Sequence, residues 1–195
     1  MLNFKKPFII AEIGINHNGN LDEAIELIDQ AKKSGADAVK FQTYKTEKRV
    51  KKNSSIFNIL KKCELSNNDF IKLKKYSDKK KILFFSTPFD TEAVKFLKKI
   101  NVKLFKISSF DISNYELIDQ IIKTKTTTLI STGMASLKEI YLINKIFKNK
   151  KIKHFFLHCV SKYPNDEKNS FLNNLKFLSN KLKMPVGLSD HTDDI

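Results

Sequence analysis

The chain has 195 residues, 41% of them hydrophobic and 16 of them phenylalanine, with five glycines and four prolines. That is the length of one domain with enough apolar mass for a core, and it excludes a disordered chain, a collagen-like repeat and a low-complexity segment. The net charge of +15 comes with a single arginine, Arg49. Nucleic-acid readout leans on arginine, so nucleic acid is not expected as a partner, and the runs Lys79-Lys80-Lys81 and Lys150-Lys151 read as solvated faces. A basic chain still attracts anionic small molecules. No apolar run reaches a membrane span, and no signal peptide is read. Cys63 and Cys159 have no metal or redox spacing, so a reduced, cytoplasmic compartment is expected.

In chain order, Phe8–Ile13 reads as a first strand. Leu21–Ser34 follows as a helix: Ala24, Ile25, Leu27, Ile28 and Ala31 make one stripe, Asn20-Leu21-Asp22-Glu23 reads as a capping box, and Gly35 ends it. Ala38–Gln42 is a second strand. The long linker Thr43–Ser66 holds a short helix, Ser55–Lys62, and linkers of this length in α/β proteins carry function. Ile82–Thr87 is the third strand, with Asp90 capping the helix after it. Leu104–Ser108 and Thr128–Ser131 follow, then a capping box at Ser136-Leu137-Lys138-Glu139, then His154–Cys159 and Pro185–Leu188. Strand and helix alternate throughout and no GxGxxG turn is present. This predicts α/β architecture as a TIM (β/α)₈-type barrel, one domain over residues 1–195, truncated after about the seventh strand.

Alternation within the strands points to a site. Glu12, Lys40 and Lys106 each fall on a strand face whose opposite face is uninterruptedly apolar, and each lies near the C-terminal end. Burying such a charge without a partner costs on the order of 5 kcal/mol. The alternative to a binding site is a mutual salt bridge that plugs the interior. Ser86-Thr87-Pro88, Ser108-Ser109, Ser131-Thr132-Gly133 and Ser189-Asp190-His191-Thr192 end four strands. Hydroxyls and loop amides beside lysines suit a phosphate. Among the histidines, His154 reads as surface and His158 as a satisfied interior residue. His17 either shapes its turn or touches substrate, and His191 is the best metal-ligand candidate.

The runs Ala11-Glu12-Ile13-Gly14-Ile15-Asn16-His17-Asn18-Gly19, Lys40-Phe41-Gln42, Ser86-Thr87-Pro88-Phe89, Lys106-Ile107-Ser108-Ser109, Ser131-Thr132-Gly133-Met134, His158-Cys159-Val160-Ser161-Lys162-Tyr163-Pro164 and Gly187-Leu188-Ser189-Asp190-His191-Thr192 occur in that order. Together they resemble the sialic acid synthase family, of the bacterial N-acetylneuraminate synthase type. The resemblance implies condensation of phosphoenolpyruvate with N-acetylmannosamine or a related N-acylated amino sugar, with release of phosphate. It implies a divalent metal as cofactor, Mn²⁺ with Mg²⁺ or Co²⁺ as alternatives. By position, Lys106, Ser109, Ser131 and Ser189 would hold the phosphate and carboxylate of phosphoenolpyruvate, with Lys40 adding charge and Thr87 among the substrate-binding residues. Gln42 and Tyr163 would contact the sugar, and Asp111 would stand beside the substrate. Ser161 occupies a position often filled by asparagine. His191 would ligate the metal, and Glu12 would be the catalytic carboxylate for proton transfer. Relatives of this kind are domain-swapped homodimers with an antifreeze-like domain. On this reading the antifreeze-like domain is expected to be absent, with the chain reading as stopping at Asp194-Ile195, before a second metal-ligating histidine. Two rivals stand beside this reading: a Schiff-base aldolase using Lys40 or Lys106, and an inactive remnant or basic binding module.

Overall fold

The structure, a computed structural model, describes residues 6–193; Asp194 and Ile195, on which the expected chain stop falls, lie outside them. The strands are β1 (Ile10–Gly14), β2 (Ala38–Thr43), β3 (Leu83–Pro88), β4 (Leu104–Ile107), β5 (Thr127–Ser131), β6 (His154–His158) and β7 (Val186–Leu188). The helices are α1 (Leu21–Lys33), α2 (Thr46–Arg49), α3 (Phe57–Lys62), α4 (Asn67–Lys79), α5 (Thr91–Lys99), α6 (Tyr115–Lys123), α7 (Leu137–Asn149) and α8 (Asn173–Leu182). The short α2 is an addition to the sequence reading. The seven strands and the helices α1 and α3 fall where the sequence reading puts them, within two residues at their ends, and α5 and α7 begin at the caps read for them; α4, α6 and α8 are not delimited by the sequence reading. Among the described residues no helix is long and apolar enough to cross a membrane.

The chain forms two compact units, one through Leu104 and one from Phe105. In the first, β1 pairs in parallel with β2, and β2 with β3. The register sets Glu12 opposite Lys40 and Gln42 opposite Thr87, with an irregularity between Glu12 and Gly14. Val39 and Phe41 on one face of β2 are fully buried, and the Phe41 and Phe84 rings stack at 5.2 Å. That apolar face takes the helix layer and leaves Lys40 and Gln42 on the other face. In the second unit β5, β6 and β7 pair in parallel, with Ser131 opposite Leu157 and His158 opposite Leu188.

Six helices run into the next strand through one residue at positive φ: Gly35, Lys81, Asn101, Lys125, Lys151 and Lys183. Where it closes fully, the following amide bonds back five residues, as in Ala36 N–H to Ala31 O at 3.0 Å, Ile82 to Ser77 at 3.1 Å and Ile152 to Phe147 at 3.0 Å. This left-handed stop satisfies the orphaned carbonyls of the last turn. A non-glycine residue there costs about 1–2 kcal/mol. Burial of Ile82, Val102 and Ile152 immediately after the stop offsets that cost, and lysine at a helix C-terminus interacts favourably with the dipole. The lysine runs are therefore helix ends.

Three expectations are corrected. Asn20 makes only half a capping box: its Oδ1 accepts from the Asp22 and Glu23 amides, while its own N–H already donates to His17 O at 2.7 Å. Glu23 instead accepts from the Asn18 side chain. The box at Ser136 is complete. His154 is buried, 5% exposed, because α7 covers the start of β6; its Nε2 meets Asn144 Oδ1 at 2.9 Å and its ring lies 5.1 Å from Phe147. His158 is satisfied through Ser170 O at 2.8 Å, but it shares the strand face of His154. It lines a cavity with Ile140 of α7 and Leu178 of α8, so it faces the helix layer.

Candidate active site

In the first unit the strand ends carry one linked set. Lys40, 3% exposed, has its ammonium 2.7 Å from Glu12 Oε2 and donates to Thr87 Oγ1 at 3.0 Å. Glu12 itself is half exposed (side chain 51%). The ion pair follows from the register, and the acid faces open space while the lysine is sealed beneath it. Two of the three ammonium N–H groups are engaged by these partners. Ser86, in contrast, pairs with Thr43 through a buried hydroxyl contact of 2.7 Å. Gly14, at φ +57°, keeps the space above it clear: a Cβ there would lie 3.4 Å from Glu12 Oε1 and 3.7 Å from Gln42 Nε2.

His17 takes the turn-shaping role. It is 1% exposed, stacks 5.9 Å from Phe41, and its Nδ1 accepts the Gly19 amide at 3.1 Å. Burial lowers its pKa and keeps the imidazole neutral, as an acceptor must be. Gly19 admits this turn against α3, because a Cβ at Gly19 would lie 2.0 Å from Lys62 O.

The linker after β2 is built around two side chains. Glu64 accepts from the Thr46 amide (2.9 Å), the Thr46 hydroxyl (2.8 Å) and Lys45 (2.9 Å), fixing the start of α2. Burial alone would raise the Glu64 carboxyl; the hydrogen bonds from Lys45 and Thr46 outweigh it and hold it at about 2. A carboxylate whose folded pKa lies below its ordinary 4.5 stabilises the fold above that value and loses the contribution as pH falls toward 2. Urea unfolding of the wild type should therefore lose about 3 kcal/mol more between pH 5 and pH 2 than Glu64→Gln does. Equal pH slopes in the two proteins would remove this role.

Arg49, at the end of α2, donates from Nη1 to Gln42 Oε1 at 3.0 Å. Its guanidinium carbon lies 3.8 Å over the Phe89 ring and 4.9 Å from that of Tyr44. Sequence reasoning missed it as a site residue. The signal available was its singularity, one arginine in a lysine-rich chain.

In the second unit, Lys106 is half buried on β4 between fully buried Phe105 and Ile107. Ser109, in the turn after β4, accepts the Gly133 amide at 3.1 Å and lies 3.2 Å from Cys159 Sγ. Gly133 is enclosed: a Cβ would lie 2.6 Å from Ser161 Oγ and 2.8 Å from both Cys159 O and Sγ. The loop is pinned by the Thr132 amide and hydroxyl, both donating to Leu157 O. Ser131, at the tip of β5, is 2% exposed, and its hydroxyl has no hydrogen-bond partner among the described residues. Asp111 is engaged locally, accepting from Ser108 Oγ at 2.5 Å and Asn114 Nδ2 at 3.3 Å.

His191 sits under the Tyr163 ring, 4.1 Å between centroids. Its Nδ1 donates to Val160 O at 2.6 Å, and its Nε2 lies 3.4 Å from Ser189 Oγ. A carbonyl at Nδ1 fixes the tautomer that leaves a lone pair on Nε2, the arrangement of a metal-binding imidazole. Among the described residues no group of three or more His, Cys, Asp or Glu side chains gathers around a metal-sized point. The donor set thus fits a metal as one ligand.

Residues 27–195 match the model of the NeuB family. The chain belongs to the NeuB family. It is 38% identical over 208 residues to an N,N'-diacetyllegionaminic acid synthase of Campylobacter jejuni, covering 98% of this chain and 62% of the relative. It is 35% identical over 204 residues to a pseudaminic acid synthase of the same species, covering 96% and 59%. Among solved structures, the N-acetylneuraminic acid synthetase of Leptospira borgpetersenii, in complex with citrate, superposes with a TM-score of 0.93. It is 42% identical and covers 96% of this chain and 66% of that one. This NeuB chain spans less than two thirds of the length of those curated relatives, and it has the expected α/β fold of TIM-barrel type.

Proposed function

We propose that this NeuB chain carries the phosphoenolpyruvate and amino-sugar sites of a nonulosonic acid synthase. The enol carbon C3 of phosphoenolpyruvate attacks the open-chain aldehyde of N-acetylmannosamine or a related N-acylated hexosamine, and the new C–C bond leaves positive character at C2. Water adds at C2, and phosphate departs with its bridging oxygen, leaving the 2-keto acid. Lys106, in the second unit, offsets the charge of the anionic substrate without reacting with it, and Lys40, in the first, is the further positive charge that the resemblance assigns to it. The Ser109–Gly133 turn and the Ser131 hydroxyl bind its oxygens, and Glu12 takes the proton of the attacking water. His191, through Nε2, would hold a divalent metal, Mn²⁺ with Mg²⁺ or Co²⁺ as alternatives, which supplies polarisation of the aldehyde oxygen when bound. Gln42 and Tyr163 contact the sugar. The two Campylobacter relatives are, by name, an N,N'-diacetyllegionaminic acid synthase and a pseudaminic acid synthase, which supports a nonulosonic acid as the product.

The observation that carries this reading is the polar strand end of the second unit, where the Gly133 amide donates to Ser109 Oγ and the Ser131 hydroxyl has no hydrogen-bond partner among the described residues, leaving it for a ligand oxygen. Ser131→Ala should weaken phosphoenolpyruvate binding about tenfold, the loss of one hydrogen bond to a charged ligand. It should leave the urea midpoint unchanged or higher, since no native partner is lost. Calorimetric titration with phosphoenolpyruvate tests it, and unchanged affinity would overturn the assignment. On this reading neither Lys40, whose Nζ is held by Glu12 and Thr87, nor Lys106 forms a Schiff base, so pyruvate with borohydride should add no mass; an adduct would favour the aldolase rival.

A further inference from the structure

The Gln42 amide can present either edge to the space above Gly14, and the two edges recognise opposite ligand groups. Arg49 decides between them. Its Nη1 donates to Oε1, an interaction only the carbonyl edge accepts, so Nε2 is left facing the notch over Gly14, where Glu12 Oε1 also points. The choice is held rigidly. Tyr44, which flanks the guanidinium, is anchored by its hydroxyl to Leu60 O at 2.9 Å and meets Phe89 edge-on at 6.2 Å. The amide of Phe89 bonds to Thr43 O at 3.1 Å. The helix that carries Arg49 is tied at its first residue to Glu64. A lysine has neither the planar face that stacks on Phe89 nor a fork that reaches Gln42 while stacked.

We propose that Arg49 is a positioning residue that locks the Gln42 amide with its NH₂ edge toward the Gly14 notch, so that the notch takes a hydrogen-bond-accepting oxygen of the ligand. With the function proposed above, on which this last step rests, that oxygen is the acyl carbonyl or a hydroxyl of the amino sugar. Glu12 beside it accepts from a hydroxyl or amide N–H of the same molecule. The notch therefore reads one donor and one acceptor.

The positioning itself needs no ligand to be measured. The side-chain amide pair of Gln42 in a ¹⁵N–¹H spectrum, identified by its loss in Gln42→Ala, should sit away from the position of a solvated glutamine in the wild type. It should collapse to that position in both Arg49→Met and Arg49→Lys; the lysine variant keeps the charge and guards against a folding defect. An amide pair that does not move in Arg49→Lys overturns the proposal. Calorimetry supplies the ligand arm. Arg49→Met should bind N-acetylmannosamine about tenfold more weakly, with phosphoenolpyruvate affinity within twofold of wild type. Arg49→Met combined with Gln42→Ala should be no weaker than Gln42→Ala alone. Additive losses would mean that Arg49 acts on the sugar directly and would overturn the positioning role. A wild-type chain that binds no N-acetylmannosamine, while the Gln42 signal still follows Arg49, counts against the acceptor reading and leaves the positioning role standing.

Discussion

On the synthase activity proposed above, Glu12→Gln is expected to lower turnover about a hundredfold or more, the range for losing a general base, while leaving phosphoenolpyruvate affinity within a few-fold of wild type. The substitution is close to isosteric. Its amide oxygen still accepts from Lys40 at the position where Glu12 Oε2 lies at 2.7 Å, so the strand ends keep their arrangement. What disappears is the negative charge and the ability to accept a proton. Stability should fall by about 1–2 kcal/mol, less than for a fully buried pair, because Lys40 is sealed but Glu12 is half in solvent. The measurement is phosphate release from phosphoenolpyruvate with N-acetylmannosamine and Mn²⁺, alongside calorimetry. Near-normal turnover in the variant would reduce Glu12 to the counter-ion of Lys40, which is the salt-bridge alternative that strand alternation left open.

Much of this site was legible because strand geometry is strict. A period of two forces Lys40 away from Val39 and Phe41, and a helix layer over the apolar face then leaves one place for the charge. The same reasoning located Ser109 and Ser131 at strand ends. What it could not see was who partners whom. Ser86 and Thr87 looked equivalent as hydroxyl donors, yet one closes on Thr43 and the other receives Lys40. Nor could it see that Asp111 accepts a hydrogen bond from Ser108 within its own turn. Arg49 was hidden because α2 has four residues, too few for periodicity, and because its stacking partner Phe89 lies forty residues away along the chain. His154 was misread because a lysine-rich approach suggests surface, while the adjacent helix α7 supplies both a ring and an amide to cover it. The left-handed stops at Lys81, Lys125, Lys151 and Lys183 carry no glycine, so only Gly35 announced itself.

Gly133→Ala tests the second unit, where no reacting group need be invoked. A Cβ at this position would meet backbone as well as side chain, lying 2.8 Å from Cys159 O and Sγ and 2.6 Å from Ser161 Oγ. Ser161 can rotate away; the carbonyl of Cys159 cannot, because it lies just past the end of β6, which pairs with both β5 and β7. The loop that carries Gly133 must therefore move, and Thr132 holds it to Leu157 O by two hydrogen bonds. Overpacking of this kind costs about 1–3 kcal/mol, and it breaks the Gly133 N–H to Ser109 Oγ bond that orients the hydroxyl. Phosphoenolpyruvate affinity should fall about a hundredfold or more, beyond the single hydrogen bond lost in Ser131→Ala, because the amide, the Ser109 hydroxyl and the adjoining Ser131 tip are displaced together. Urea unfolding and calorimetry on the same preparation separate the two effects. A variant destabilised by the expected amount that still binds phosphoenolpyruvate normally would show that the anion is held elsewhere, and that the Ser109–Gly133 turn is only a strut between β4 and β6.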